Sequence, residues 1–211
     1  MNLDSLLDRF GASSAEPIQL GQSAATVVRL SRGGEVLFHK EGPGVDAEAD
    51  RLAWLGSTGF PCPQVLDRGD DWMLSTELPG RDASQPWPAA DRPAVLTAMA
   101  EGLRALHALT DSPFTSPFRG AREVVTHGDF CAPNVFIDPA TLRFSGVLDL
   151  ARLGTGDRYV DIALMVKSLS GTLNPQYGGP PAAHQFVETY GADPEDPRIE
   201  LYIDLDNTET Y

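Results

Sequence analysis

Residues 124–149, VVTHGDFCAPNVFIDPATLRFSGVLD, constrain the fold more tightly than any other stretch of this chain. VFID and RFSGVLD each read as a short apolar strand, and PATL between them reads as a turn. Suppose that the two runs pair as a hairpin. With the turn centred on Thr141, Asn134 faces Leu148 and lies beside Asp149 at the open end, with Asp129 on the loop just before it. An amide oxygen and two carboxylates then share a small space, where like charges raise each other's pKa unless a cation is present. Magnesium prefers hard oxygen ligands and usually takes only one or two carboxylates, keeping its other positions for water and phosphate. Phosphoryl transfer needs this equipment: one Asp orients or deprotonates the acceptor hydroxyl, while an Asn and a second Asp hold the metal on the nucleotide phosphates. A lone His-Gly-Asp is equally a capped turn, and a lone Asn before a strand is usually a loop residue. The weight lies on the joint pattern, H-G-D-x4-N followed by a strand pair ending in Asp.

The rest of the chain supplies the context. Residues 17–21 (PIQLG), 26–30 (TVVRL) and EVLFHK read as strands, the last two joined by an Arg32-Gly33-Gly34 turn. VDAEADRLAWLGSTG spaces Val45, Ala49, Leu52, Ala53 and Leu55 for a helix that stops at Gly56. Two further strands flank an Arg68-Gly69-Asp70-Asp71 turn and end at Pro79-Gly80. Residues 1–80 therefore read as a β-rich lobe with one helix, and residues 81–211 as a mainly helical one. In the second, helices are expected on Val95, Met99, Leu103, Leu106 and Leu109, over 159–169 and over 181–190. The fold class is α+β.

Composition narrows the function classes. The formal charge is −14, a surface that repels nucleic acid and anionic lipid and attracts cations, although solubility alone explains it as well. The 42% hydrophobic share is that of a globular protein. Cys62 and Cys131 are far apart, which suits a reducing compartment better than a disulfide scaffold. MNLDSLLDRFG lacks the basic start and apolar core of a signal peptide, and no apolar run approaches the ~18 residues of a membrane helix. A cytoplasmic protein is expected.

HGDFCAPNVFID followed by SGVLDLARLGTGDRYVDIAL resembles the aminoglycoside phosphotransferase family, specifically its 3'-phosphotransferase branch. VLFHK is similar to the family's lysine strand, AEADRLAWL to its helix, DWMLSTELPG to its hinge and RIELYIDLDNTETY to its acidic C-terminal segment. The resemblance implies a two-lobed protein-kinase-like fold and transfer of phosphate from ATP, with Mg2+, to a hydroxyl of a cationic antibiotic. It makes Asp129 the base or hydroxyl-positioning residue, Asn134 and Asp149 the magnesium ligands, and His127 and Asp161 braces of the catalytic loop. Arg152 would neutralise the acidic cluster. Lys40 would contact the α/β-phosphates and pair with Glu48; it shares a strand face with Val36 and Phe38, which points it inward. Ser23 lies in the nucleotide-positioning loop, and Thr76 and Leu78 offer backbone groups to adenine. Asp157, Asp206, Asn207 and Glu209 would form an acidic cleft for ammonium groups.

The chain departs from the resemblance in two ways. Only eight residues separate Lys40 from Glu48, which puts Glu48 in the first turn of its helix. Fewer than twenty residues join Leu109 to the motif, where the family implies a longer helical insert that helps form the antibiotic site. Either this is a compact relative, or a segment stands outside the 211 residues. Three alternatives stay open: a kinase of another small alcohol (choline, a homoserine-type amino alcohol or a macrolide), an inactive nucleotide-binding module, and a metal-dependent hydrolase. The last lacks a second histidine placed as a ligand.

Overall fold

A computed structural model describes residues 2–18 and 25–208. The chain divides into two compact units, Met1–Glu77 and Leu78–Tyr211. The α+β class holds, with the strands concentrated in the first unit and the helices in the second.

The first unit is a five-stranded antiparallel sheet in the order β1-β2-β3-β5-β4, built from β1 (Ser14–Ile18), β2 (Thr26–Arg32), β3 (Glu35–Glu41), β4 (Val65–Arg68) and β5 (Trp72–Thr76). The first strand starts earlier than its apolar run suggested, and Pro17 is tolerated because β1 is an edge strand. Among the described residues two helices belong to this unit, not one. The expected helix is α2 (Val45–Ser57). The other, α1 (Leu3–Phe10), is capped by the Asn2 side chain and ends at Gly11 with φ +63°. Leu6 and Phe10, one turn apart on α1, pack on Val28, Leu30, Leu37 and Leu74. The face of β3 that α1 covers is not the one that carries Lys40. The buried face is Leu37 and His39, with the His39 ring stacked on Trp72, while Val36, Phe38 and Lys40 occupy the half-buried face opposite.

In the second unit, β6 (Arg81–Asp82), β8 (Val135–Asp138) and β9 (Arg143–Val147) form one sheet, and β7 (Val124–Thr126) pairs with β10 (Gly154–Gly156). The β8–β9 hairpin has the expected register at its open end: Val135 faces Val147, and the Leu148 N–H donates to the Asn134 carbonyl at 2.9 Å. A bulge shifts the register by one residue towards the turn. The helices are α3 (Arg92–His107), α4 (Tyr159–Ser170), α5 (Pro180–Tyr190) and α6 (Arg198–Thr208). Apolar on nearly every side, α4 is buried along most of its length, and α5 and α6 pack on it. No described helix is long and apolar enough to cross a membrane.

Candidate active site

The loop between β7 and β8 carries the His-Gly-Asp motif, and α4 holds it. Buried without exposure, the Asp161 carboxylate accepts the His127 N–H on Oδ2 and the Gly128 N–H on Oδ1, each at 2.8 Å. The His107 Nε2 reaches the same Oδ2 at 3.0 Å, and its Nδ1 lies 2.8 Å from the Tyr190 hydroxyl. Sequence reasoning named Asp161 but missed His107 and Tyr190; the one available signal was a histidine one turn beyond Leu103 on the apolar stripe of α3.

His127 ties the loop to the hairpin. Its Nδ1 accepts the Asp129 N–H at 3.2 Å, so Nε2 carries the proton and donates to the Leu148 carbonyl at 2.9 Å. The chain thus passes directly from a carbonyl held by the loop to Asp149. Gly128 adopts φ +81°, and a Cβ there would stand 2.5 Å from the Cβ of Arg152. Only glycine allows that approach.

The Asn134 and Asp129 side chains meet at the open end of the hairpin, and the Asp149 carboxylate is close enough to act on Asp129 through its charge. Asn134 Nδ2 donates at 2.9 Å to both the Asp129 carbonyl and Asp129 Oδ2. This commits the amide nitrogen and leaves Oδ1 as the face an incoming cation would meet. Burial pushes the Asp129 carboxyl above the ordinary carboxylate range. His127 and Arg152 oppose that shift, Asp149 adds to it, and the Asn134 amide opposes it. Among the described residues Asp149 is one of three non-glycines at positive φ, +60°, a conformation Asp tolerates better than most side chains. Cys131 Sγ lies 3.7 Å from Asp129 Oδ1, and burial holds its thiol far above the usual range, so it is a neutral donor and not a nucleophile.

Among the described residues, no three His, Cys, Asp or Glu side chains form a closed metal cage. Two carboxylates and an amide oxygen are an incomplete, all-oxygen set. That fits a magnesium ion completed by phosphate and water, and it does not fit zinc.

Arg152 donates to Asp206 Oδ1 at 2.9 Å and stands 3.5 Å from the Gly128 carbonyl, while Lys167 donates to Asp206 Oδ2 at 2.8 Å. Asp206 is therefore already met by two cations. Asp157 corrects the expectation of an acidic cleft. It is 5% exposed, accepts the Tyr159 N–H at 2.9 Å in the first turn of α4, and faces Arg198 at 3.4 Å. Its carboxylate serves a helix end. Asn207 is exposed, and Glu209 and Ser23 lie outside the described residues.

In the first unit, Lys40 Nζ donates to Glu48 Oε2 at 2.6 Å, with side chains 13% and 6% exposed. The short spacing works because β3 ends at Glu41 and α2 begins at Val45, after Gly42 and Gly44 at positive φ. The Thr76 N–H is taken by the Gln64 carbonyl at 3.0 Å, so adenine could use Thr76 only through its carbonyl. Leu78 is buried.

A sequence model described as the phosphotransferase enzyme family matches residues 14–123 and 116–202. An aminoglycoside 3'-phosphotransferase of Streptomyces fradiae is 34% identical over 231 residues, covering 82% of this chain and 86% of the relative. A streptomycin 3''-kinase of Streptomyces griseus is 29% identical, covering 90% of each. Among solved structures, an aminoglycoside-3'-phosphotransferase of type VIII superposes with a TM-score of 0.81 at 30% identity, over 97% of this chain and 98% of that one. A Streptomyces rimosus APH(3'')-Id in complex with ADP and streptomycin gives 0.78 at 26%, over 98% of each. The Streptomyces fradiae alignment is longer than the 211-residue chain itself, so the relative carries positions with no counterpart here. The two segments of the family match overlap at residues 116–123.

Proposed function

Because the chain belongs to the phosphotransferase enzyme family, we propose that it transfers the γ-phosphoryl group of ATP to a hydroxyl of an aminoglycoside, the 3'-hydroxyl first, and so confers resistance. The observation that carries this is the Asn134 amide bonded to Asp129 at the open end of a hairpin, beside Asp149. ATP as donor places the reaction in the cytoplasm.

Asp129 aligns the acceptor hydroxyl and takes its proton as the oxygen bonds to the γ-phosphorus; ADP departs with the electrons of the broken bond. Burial makes this carboxylate a stronger base than an exposed one. Asn134 Oδ1 and Asp149 would hold Mg2+, which when bound neutralises charge on the triphosphate. Lys40, oriented by Glu48, would meet the α/β-phosphates. Arg152 balances the acidic cluster, and Asp161 and His127 keep the loop in place. The acceptor assignment draws on the relatives' names and on the acidic C-terminal residues, of which Asp206 would have to exchange a lysine or arginine for a substrate ammonium.

A panel of kanamycin, neomycin, streptomycin, choline and a macrolide, with ATP and Mg2+, tests this. One ADP per phosphorylated aminoglycoside is expected, with the modified hydroxyl located by NMR. The 3''-position on streptomycin would move the protein towards its Streptomyces griseus relative. Turnover of choline alone would remove the aminoglycoside, and ATP binding without turnover would leave a nucleotide-binding module.

A further inference from the structure

We propose that Ser168, held by Asn174, is a positioning residue that fixes the far end of the catalytic loop and thereby the metal-side amide of Asn134. The inference rests on the reading of Asn134 given above.

Ala132 opens a one-turn 3-10 helix, Ala132–Asn134, preceded by a residue that gives it no side-chain cap. Its N–H has no acceptor within so short a turn, and Ala132 is fully buried, so it needs a partner from elsewhere. The Ser168 Oγ provides one at 3.1 Å. Ser168 stands seven residues beyond Asp161, two turns along the same face of α4. Asp161 grips the backbone N–H groups of His127 and Gly128, and Ser168 grips that of Ala132. One helix face, with contact points about 10 Å apart along its axis, therefore pins the loop on both sides of Asp129. Two residues past Ala132, Asn134 turns its amide back onto Asp129, so a shift at Ala132 is passed to the Asn134–Asp129 contact.

Asn174 sets the hydroxyl. Its Nδ2 donates to Ser168 Oγ at 3.1 Å and to the Ser168 carbonyl at 2.9 Å, satisfying one of the last carbonyls of α4. Asn174 is 2% exposed, and its Oδ1 has no hydrogen-bond partner among the described residues. Turning the amide over would aim that oxygen at the Ser168 carbonyl. The side chain thus leaves one buried acceptor unpaired in order to present its NH2 group to Ser168, an arrangement that carries a cost.

Ser168→Ala and Asn174→Ala test the assignment, read by hydrogen exchange of loop amides, thermal melting, and the Mg2+ dependence of the kinase rate. Ser168→Ala is expected to speed exchange at Ala132 by roughly 3- to 10-fold, the worth of one hydrogen bond, while His127 and Gly128 stay protected by Asp161. Half-saturating Mg2+ rises by a similar factor, and the acceptor KM stays within about twofold. Asn174→Ala gives the same pattern, weaker, and stands in if Ser168→Ala does not fold. Unchanged exchange at Ala132 would overturn the proposal. So would a lowered Tm with exchange raised throughout α4 and an unshifted Mg2+ requirement, which would make Ser168 merely structural. Absence of kinase activity in the wild-type chain would count against the phosphotransferase reading alone, because the exchange data decide the positioning role without it.

Discussion

At the level of single residues, the candidate site buries the carboxylate proposed as its base. Burial and Asp149 both disfavour ionised Asp129, and a carboxyl whose folded pKa lies above its unfolded value destabilises the fold as pH rises from the unfolded value through the folded one. Below the unfolded value, near 4, both states are protonated and the penalty is absent. Asp129→Asn should therefore raise Tm of the nucleotide-free protein at neutral pH, and the gain should fade as melts are run nearer pH 4; a gain independent of pH would assign the effect to packing. The same substitution should lower kcat by ~10²–10⁴-fold with the nucleotide KM nearly unchanged. Lys40 offers a contrasting case. Lys40→Met removes the cation 2.6 Å from the buried Glu48 and should cost on the order of 3–5 kcal/mol in urea unfolding. Adding Glu48→Gln should recover much of that stability while ATP turnover stays depressed. Recovery of both would mean that the lysine never served the nucleotide.

Elements were legible in the sequence where a long pattern repeated and hidden where a short one depended on tertiary packing. The helices α2, α3 and α4 and the β8–β9 hairpin follow from spacing alone, and the hairpin register then delivered Asn134 beside Asp149. The contact between Asn134 and Asp129 was readable because the two residues lie close together in the chain. Ser168 and Asn174 were not, since only the packing of α4 on the loop brings them there, nor were His107 and Tyr190, which reach Asp161 only once α3 and α5 pack against α4. Asp157 was misread for a related reason: nothing local distinguishes a carboxylate capping a buried helix from one open to substrate. The eight residues of α1 are too few to be stable alone and read as helical only once the sheet is there to cover. Its contribution can be measured. Phe10 packs beside His39 and Trp72 on the sheet face opposite Lys40, so Phe10→Ala should cost ~3–5 kcal/mol by denaturant unfolding. ATP affinity in the fraction still folded should be unaltered, and a parallel loss of affinity would show that α1 also shapes the nucleotide-facing side of β3.

Over the whole molecule, a charge of −14 on 211 residues acts at a range that no single contact covers. The acceptor class proposed is polycationic and the donor is anionic, so the field should help one and hinder the other. Salt separates the two. The screening length falls from about 30 Å at 0.01 M to about 8 Å at 0.15 M, which cuts long-range attraction while leaving hydrogen-bonded contacts largely intact. Raising NaCl across that interval should lower kcat/KM for an aminoglycoside by about 10-fold, chiefly through association, while kcat at saturation changes little. For ATP at saturating acceptor, kcat/KM should stay level or rise. The alignment with the Streptomyces fradiae relative spans more positions than this chain has, and those positions bear on the same measurement. If those positions contact the acceptor in the relative, recognition here has fewer direct contacts to draw on, and the diffuse field should carry a larger share of it. A salt slope no steeper than that of the Streptomyces fradiae relative, measured side by side, would show that local contacts have taken over the acceptor and that the acidic surface serves solubility.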